Sequence, residues 1–187
     1  MSSPKLEAKD EHYTYEDYAS WDENERYEII DGVAYALATP LFIHQDISRN
    51  LFRKFDSFLQ GKPCDVYYSP VSVRLNYDKG DDSVVEPDLV VICDKSNIDK
   101  KGYNGVPDII IEILSLSNPR HDLILKFNKY LDAGVKEYWI VDPETKTIKL
   151  CVLNRDGYLT NVYKENDTIS SQVLKGLKIK LSDIFVD

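Results

Sequence analysis

The sequence predicts an α/β fold, mixed α+β in character, in which a mixed β-sheet is flanked by helices. Three observations carry that expectation. Residues 107–143 read as strand, helix and strand in one short unit, and a strand that returns through a helix pairs in parallel with its predecessor. Asp31-Gly32 and Asp156-Gly157 each separate two strand-like runs, which is the turn chemistry of an antiparallel hairpin. Residues 44–60 carry a single apolar stripe at helical spacing. Parallel and antiparallel pairs in one chain, with helices to cover them, define the class.

Taken in order, residues 1–12 read as a disordered tail and residues 13–187 as one domain. Thr14 is placed to cap a short helix with Glu16 and Asp17 at its positive end, and Trp21 to anchor the turn behind it. Arg26 to Asp31 and Val33 to Ala38 form the first hairpin. A helix over His44 to Gln60 presents Ile47, Leu51, Phe52, Phe55, Phe58 and Leu59 to the core and stops at Gly61. Asp65 to Ser69 and Val71 to Leu75 are short strands, Leu89 to Ile92 is a buried one, and Lys95 to Gly105 is a polar loop. The run Ile109, Ile110, Ile111, Ile113 and Leu114 is a buried strand by its composition. After the turn cluster Ser115 to Pro119, a helix runs from His121 to Ala133 and Gly134 ends it. Glu137 to Val141 completes the unit, with Trp139 expected in one core with Ile109, Ile111 and Val141. Ile148 to Leu153 and Tyr158 to Tyr163 make a hairpin, Ser170 to Val173 and Leu177 to Leu181 are short strands, and Ser182 to Phe185 is a closing turn.

Composition narrows the function. A chain of 187 residues with 43% hydrophobic and 29% charged residues is ordinary for a soluble globular protein. No apolar run reaches the roughly 18 residues of a membrane span, and the N-terminal stretch lacks the apolar core of a secretory signal, so a cytoplasmic protein is expected. Cys64, Cys93 and Cys151 are far apart and each lies in or beside an apolar run. Neither zinc spacing nor a paired framework is indicated, and reduced, packed thiols are expected. The net charge of −9 excludes a protein that coats DNA by general electrostatics. It leaves room for a local basic patch or for carboxylates massed around a metal.

The chemistry comes from carboxylates on neighbouring strands. Glu112 is one charge inside an apolar strand, and an isolated carboxylate there is costly unless it is paired, protonated or bound to metal. Asp88 follows Pro87 at the start of another buried strand. If the two strands are adjacent, the carboxylates lie close, and hard oxygen ligands suit Mg²⁺ or Mn²⁺. The alternatives are a turn carboxylate for Asp88 and an ion pair inside the sheet for Glu112. Asp108, four residues before Glu112 on one strand, is roughly 13 Å from it and cannot share its ion. On the following helix Leu123, Phe127, Tyr130 and Leu131 form the apolar stripe, with Asp122, Lys126 and Lys129 expected on or near another face. Lys126 then either pairs with Asp122 one turn away or reaches back over the carboxylates.

These residues resemble the PD-(D/E)XK nuclease superfamily, and within it a bacterial branch of restriction-endonuclease-like proteins, the Uma-two family. The resemblance runs through Tyr27-Glu28-Ile29-Ile30-Asp31-Gly32, Pro40 with His44-Gln45, and Glu86-Pro87-Asp88-Leu89. It continues through Pro107-Asp108, Glu112-Ile113-Leu114-Ser115, Arg120, Asp122, Lys126, Tyr130, Gly134-Val135, Glu137-Tyr138-Trp139 and Asp142-Pro143. It implies a restriction-endonuclease-like core and a Mg²⁺- or Mn²⁺-dependent DNA endonuclease. Asp88, Glu112 and the Ile113 carbonyl would be the metal ligands, with Lys126 and the upstream acid Glu28 completing the catalytic set. Where many members carry lysine two residues after the strand glutamate, this chain has Leu114, and Lys126 takes that part. His44 and Gln45 match the family without an assigned role. The other reading is a non-catalytic or regulatory binding module on the same fold. Cutting both strands of a duplex is simplest with two sites on a two-fold axis, so a homodimer is expected as a partner state.

Overall fold

The computed structural model describes residues 12–21, 26–115 and 120–186, the side chains of 120–122 excepted. The expected tail at residues 1–11, the turn residues 116–119 and the Asp122 side chain lie outside the described residues. His12, assigned to the tail by sequence, is held by Asp82 at 3.0 Å.

The first helix, α1 (Tyr15–Tyr18), begins where the Asp17 carboxylate accepts hydrogen bonds from the Thr14 amide and hydroxyl. Trp21 then packs edge-on against Tyr13, Tyr18 and Tyr27. Strands β1 (Tyr27–Ile30) and β2 (Val33–Ala36) are joined by Asp31 and Gly32, whose φ values of 51° and 78° are those of a type I′ turn. Helix α2 (Phe42–Leu59) begins two residues earlier than its apolar stripe suggests. It is followed by β3 (Asp65–Tyr68), β4 (Val73–Arg74), β5 (Val84–Val85) and β6 (Leu89–Ile92). The polar loop at 95–105 contains a single helical turn and β7 (Tyr103–Asn104). Then come β8 (Ile109–Ile113), α3 (Arg120–Ala133) and β9 (Glu137–Asp142), with Gly134 at φ 87° ending the helix. Strands β10 (Thr147–Asn154), β11 (Gly157–Lys164), β12 (Thr168–Ser170) and β13 (Lys178–Lys180) complete the chain.

Two main sheets result. One has the order β2-β1-β5-β4-β7 and the other β11-β10-β9-β8-β6-β3, with β12 and β13 as a separate pair. In the six-stranded sheet β8 and β9 are parallel, as the strand–helix–strand unit requires, and the other neighbours are antiparallel. Each central strand is apolar on both faces, because both are covered. Leu89, Val91, Ile109, Ile111, Trp139 and Val141 point toward α2 and the C-terminal segment. Val90, Ile92, Ile110, Tyr138 and Ile140 point toward α3 and the five-stranded sheet. Trp139 is fully buried against Phe55, in one core with Ile109, Ile111 and Val141.

Two sequence expectations are corrected. Cys64 and Cys93 form a disulfide and only Cys151 is a free, buried thiol. The reason is register: β3 and β6 pair with Asp65 opposite Ile92, so one step further along the ladder Cys64 faces Cys93. Far apart in sequence, they are cross-strand neighbours in space. The other correction concerns the face of α3, below. No helix among the described residues is long and apolar enough to cross a membrane.

Candidate active site

The register of β6 against β8 pairs Leu89 with Ile111 and Val90 with Ile110. One step further, Asp88 stands opposite Glu112. Glu112 shares the parity of Ile110 and projects from the face that looks toward α3 and β1, where Lys126 meets it. Cross-strand neighbours of this kind have Cβ atoms about 4.5–5.5 Å apart. Asp88 Oδ2 accepts the Ile113 amide at 2.7 Å and meets His44 Nε2 at 3.1 Å. Glu112 Oε1 accepts the Tyr130 hydroxyl at 2.7 Å and Lys126 Nζ at 3.1 Å.

Lys126 departs from the sequence expectation. It lies on the buried stripe of α3 and not on a separate polar face: Leu123, Lys126, Phe127 and Tyr130 follow the i, i+3, i+4, i+7 spacing of one helical face. The lysine is only 7% exposed. A buried ammonium needs partners, and Lys126 has them on two sheets. Besides Glu112 on β8, its Nζ is 2.8 Å from Glu28 Oε2 on β1. Glu28, 1% exposed, also accepts the Glu86 amide at 2.8 Å. Lys129, by contrast, pairs with Asp31 at the hairpin turn, whose side chain is 69% exposed. Asp108 stands apart, accepting the Cys93 amide and pairing with Lys136.

Burial pushes the Glu112 carboxyl up to about 7; Lys126 opposes that rise, Asp88 and Glu28 add to it, and the Tyr130 hydrogen bond lowers it. Burial alone would lower the His44 imidazole, but its hydrogen bond to Asp88, with Glu112 and the Ile113 carbonyl behind it, carries it above its ordinary value. Tyr130 is pushed well above the usual phenol range by burial and by the two glutamates, so it stays a hydrogen-bond donor.

These groups open on a groove of about 310 Å³ between the two sheets and the start of α2. Arg26 and Glu86 pair at its rim, Nη2 to Oε2 at 2.6 Å, and Tyr18 donates to the other Glu86 oxygen at 2.8 Å. Sequence reasoning gives Arg26 no part in the site, and Glu86 enters only through the family pattern. Tyr130 was placed on the apolar stripe without a polar role, although a buried tyrosine on the helix after an acidic strand is a donor in need of an acceptor.

The donor set fits a hard divalent cation in one particular way. Among the described residues no three His, Cys, Asp or Glu side chains form a ready-made metal cage. Two carboxylates, a strand carbonyl and water are, however, what Mg²⁺ takes when a substrate phosphate supplies the rest. Three carboxylates face one ammonium and one imidazole here, and Glu112 is held at the edge of ionisation. The cluster therefore has room for further positive charge.

The family model described as "Putative restriction endonuclease", Uma2, matches residues 15–182. The chain belongs to the Uma2 family. It is 26% identical over 174 residues to an uncharacterized protein, slr1290, of Synechocystis sp., covering 91% of this chain and 90% of that one. Its fold matches the crystal structure of a putative nuclease belonging to DUF820 from Anabaena variabilis with a TM-score of 0.76 and 17% identity, over 92% of this chain and 97% of the other. At that identity the likeness shows the fold, and the restriction-endonuclease-like core is what the Uma2 chain shares. Asp88 just before β6, Glu112 on β8, Lys126 on α3 and Glu28 on β1 come together in it.

Proposed function

We propose that this Uma2 chain is a nuclease that hydrolyses phosphodiester bonds of DNA with Mg²⁺ or Mn²⁺. The observation that supports it most is convergence. Acids from two strands and from the residue before a third meet a lysine of α3 at one groove, although burying that many charges is costly and serves the fold poorly. Asp88, Glu112 and the Ile113 carbonyl would hold the metal, which supplies a Lewis acid and an activated water.

The chain's own residues do the rest. The Ile113 amide and His44 fix the Asp88 carboxylate from one side, leaving its other oxygen for a ligand. Tyr130 orients Glu112. Glu28 holds Lys126 beside Glu112, where its ammonium can turn toward a bound phosphate and offset charge developing on it. A homodimer is part of the proposal, and so is a cytoplasmic setting, in which the Cys64–Cys93 bond would open to two packed thiols.

The test is hydrolysis of bis(p-nitrophenyl) phosphate and of plasmid DNA with Mg²⁺ or Mn²⁺. Asp88→Asn and Glu112→Gln should each cost about 10²-fold or more, the scale of one positioned group. The second reading, a non-catalytic binding module, is favoured by Lys126 itself, whose ammonium already bridges two of the acids. Calorimetric titration of Mn²⁺ separates them. Binding lost in Glu112→Gln, without hydrolysis by the wild type, points to the module. No binding at all leaves a charge network that serves only the fold.

A further inference from the structure

A second cavity adjoins the groove. It holds about 280 Å³ and is floored by Tyr67, Val71, Ile98 and Tyr103. Pro70 lines both it and the groove, so the two meet at one residue. The junction is built from residues 69–72. At one end the Ser69 amide donates to the carbonyl of Asp88, a proposed metal ligand, at 2.9 Å. At the other end the Ser72 hydroxyl is 3.0 Å from the Tyr18 hydroxyl, which donates to Glu86 on the rim of the groove. The loop that walls the cavity is clamped onto this strip. Its Tyr103 amide donates to the Ser72 carbonyl at 2.9 Å, and Gly102, at φ 149°, lies so close to that carbonyl that a Cβ there would collide with it.

That loop carries two lysines to the edge of the cavity. Lys100 and Lys101 are consecutive and exposed, and both line it. Among the described residues no carboxylate pairs with either, whereas Lys95 and Lys129 are held by Asp65 and Asp31. Asp99, the acid that lines the cavity with them, accepts the Lys101 and Gly102 amides and the Asn104 side chain, so its carboxylate is engaged by the loop's own donors. A net charge of −9 repels a polyanion over most of the surface, and a local pair of cations beside the groove is where a phosphate backbone gains attraction. We propose that Lys100 and Lys101 hold phosphates of the DNA strand on one side of the scissile bond; the inference rests on the nuclease reading. Residues 69–72 span at most about 10 Å, roughly three base steps at 3.4 Å each, so the lysines stand a few nucleotides from the reacting phosphate. Such contacts set the position of the strand and carry no sequence information. An acidic protein segment is the competing occupant, and the junction of the cavity with the groove favours DNA.

The experiment is the salt dependence of binding, read by fluorescence anisotropy with a labelled 20-base-pair DNA duplex and Ca²⁺ in place of Mg²⁺. Each phosphate contact by a lysine adds about 0.9 to the steepness of log K against log salt. Lys100→Ala combined with Lys101→Ala should therefore lower the slope by about 2. Raising salt from about 50 to 200 mM should then weaken the wild type about tenfold more than this double variant. Lys100→Arg with Lys101→Arg should keep the wild-type slope, because the contact needs the charge. Lys175→Ala with Lys178→Ala removes the same charge from an exposed pair at β13 and should leave the slope unchanged. All four lysines are exposed, so the variants should melt with the wild type. A wild type that does not bind the duplex at low salt, a slope unchanged in the Lys100 and Lys101 double alanine variant, or an equal fall in the control pair overturns the proposal. So does poly-glutamate that displaces the labelled DNA as effectively as unlabelled duplex. Wild-type hydrolysis of bis(p-nitrophenyl) phosphate is run alongside. Its failure sinks the nuclease reading, while the salt slopes judge the two lysines.

Discussion

Replacing Lys126 with methionine keeps the length of the side chain and removes its charge. Two buried glutamates then lose their shared cation, whose nitrogen lies 2.8 Å from Glu28 and 3.1 Å from Glu112. Each keeps one neutral donor, the Glu86 amide for Glu28 and the Tyr130 hydroxyl for Glu112. Removing one partner of a buried charge pair costs about 3–5 kcal/mol, out of a total stability of about 5–15 kcal/mol. At about 2–4 °C per kcal/mol for a domain of this size, the melting temperature should fall by about 6–20 °C. The deficit should also depend on pH. The folded Glu112 carboxyl lies at about 7, above its ordinary 4.5, so the folded state binds a proton that the unfolded chain releases between those values. Stability therefore falls as pH rises through that window and levels off above it. Without Lys126 the carboxyl moves higher still. The Lys126→Met deficit should be smaller near pH 5, where Glu112 is protonated, than near pH 9. Thermal melts in EDTA at both pH values measure it, with Lys129→Met as the control, since its partner Asp31 is largely exposed and such pairs contribute little. Equal melting shifts for Lys126→Met and Lys129→Met, or a deficit that ignores pH, would refute the reasoning from buried charge.

Two other perturbations test the support of the site and of the fold. His44→Ala removes the partner of Asp88 and should weaken Mn²⁺ binding about 10-fold in calorimetry, the lower end for loss of a ligand's supporting hydrogen bond; His44→Gln, which can place a donor near the position of Nε2, should recover most of it. Affinities equal across the three proteins would deny His44 that role. Glu137→Ala should destabilise strongly, because this fully buried carboxylate accepts Trp139 Nε1, the Ser171 hydroxyl and the amides of Gln172 and Val173, and each orphaned donor costs about 1–3 kcal/mol. Faster amide exchange across β12 and β13 should accompany the loss, and unchanged protection there would show that Glu137 does not tether the C-terminal segment.

Glu137 also marks the limit of what the sequence discloses. A charge inside an isoleucine run, as at Glu112, is conspicuous because its neighbours are apolar on both sides. A charge at the first position of a strand, as at Glu137, looks like an exposed end, and only the fold reveals that residues 171–173 close over it. The same distinction separates the strand unit, readable from β-branched runs, Gly134 and the parity of alternate residues, from the disulfide, which depends on the pairing of β3 with β6. Pairing between distant strands leaves no local trace. Asp88 and Glu112 illustrate both sides: each is suspicious alone, yet their direct opposition follows from the register of β6 on β8.

Lys126 is the instructive case, because the sequence leaves it two readings. Pairing with Asp122 treats the lysine as a surface residue, while reaching back over the carboxylates is the reading the geometry matches. Its spacing from Leu123, Phe127 and Tyr130 puts it on the buried face, and a lysine there is expected only where carboxylates await it. The unpaired Glu112 on the preceding strand and the misplaced Lys126 on the following helix are thus one observation seen twice. Each is a violation of apolar patterning, and each is resolved by the other, with Glu28 of the opposite sheet as the third member. Such paired violations are where a sequence that otherwise specifies a fold departs from it for chemistry.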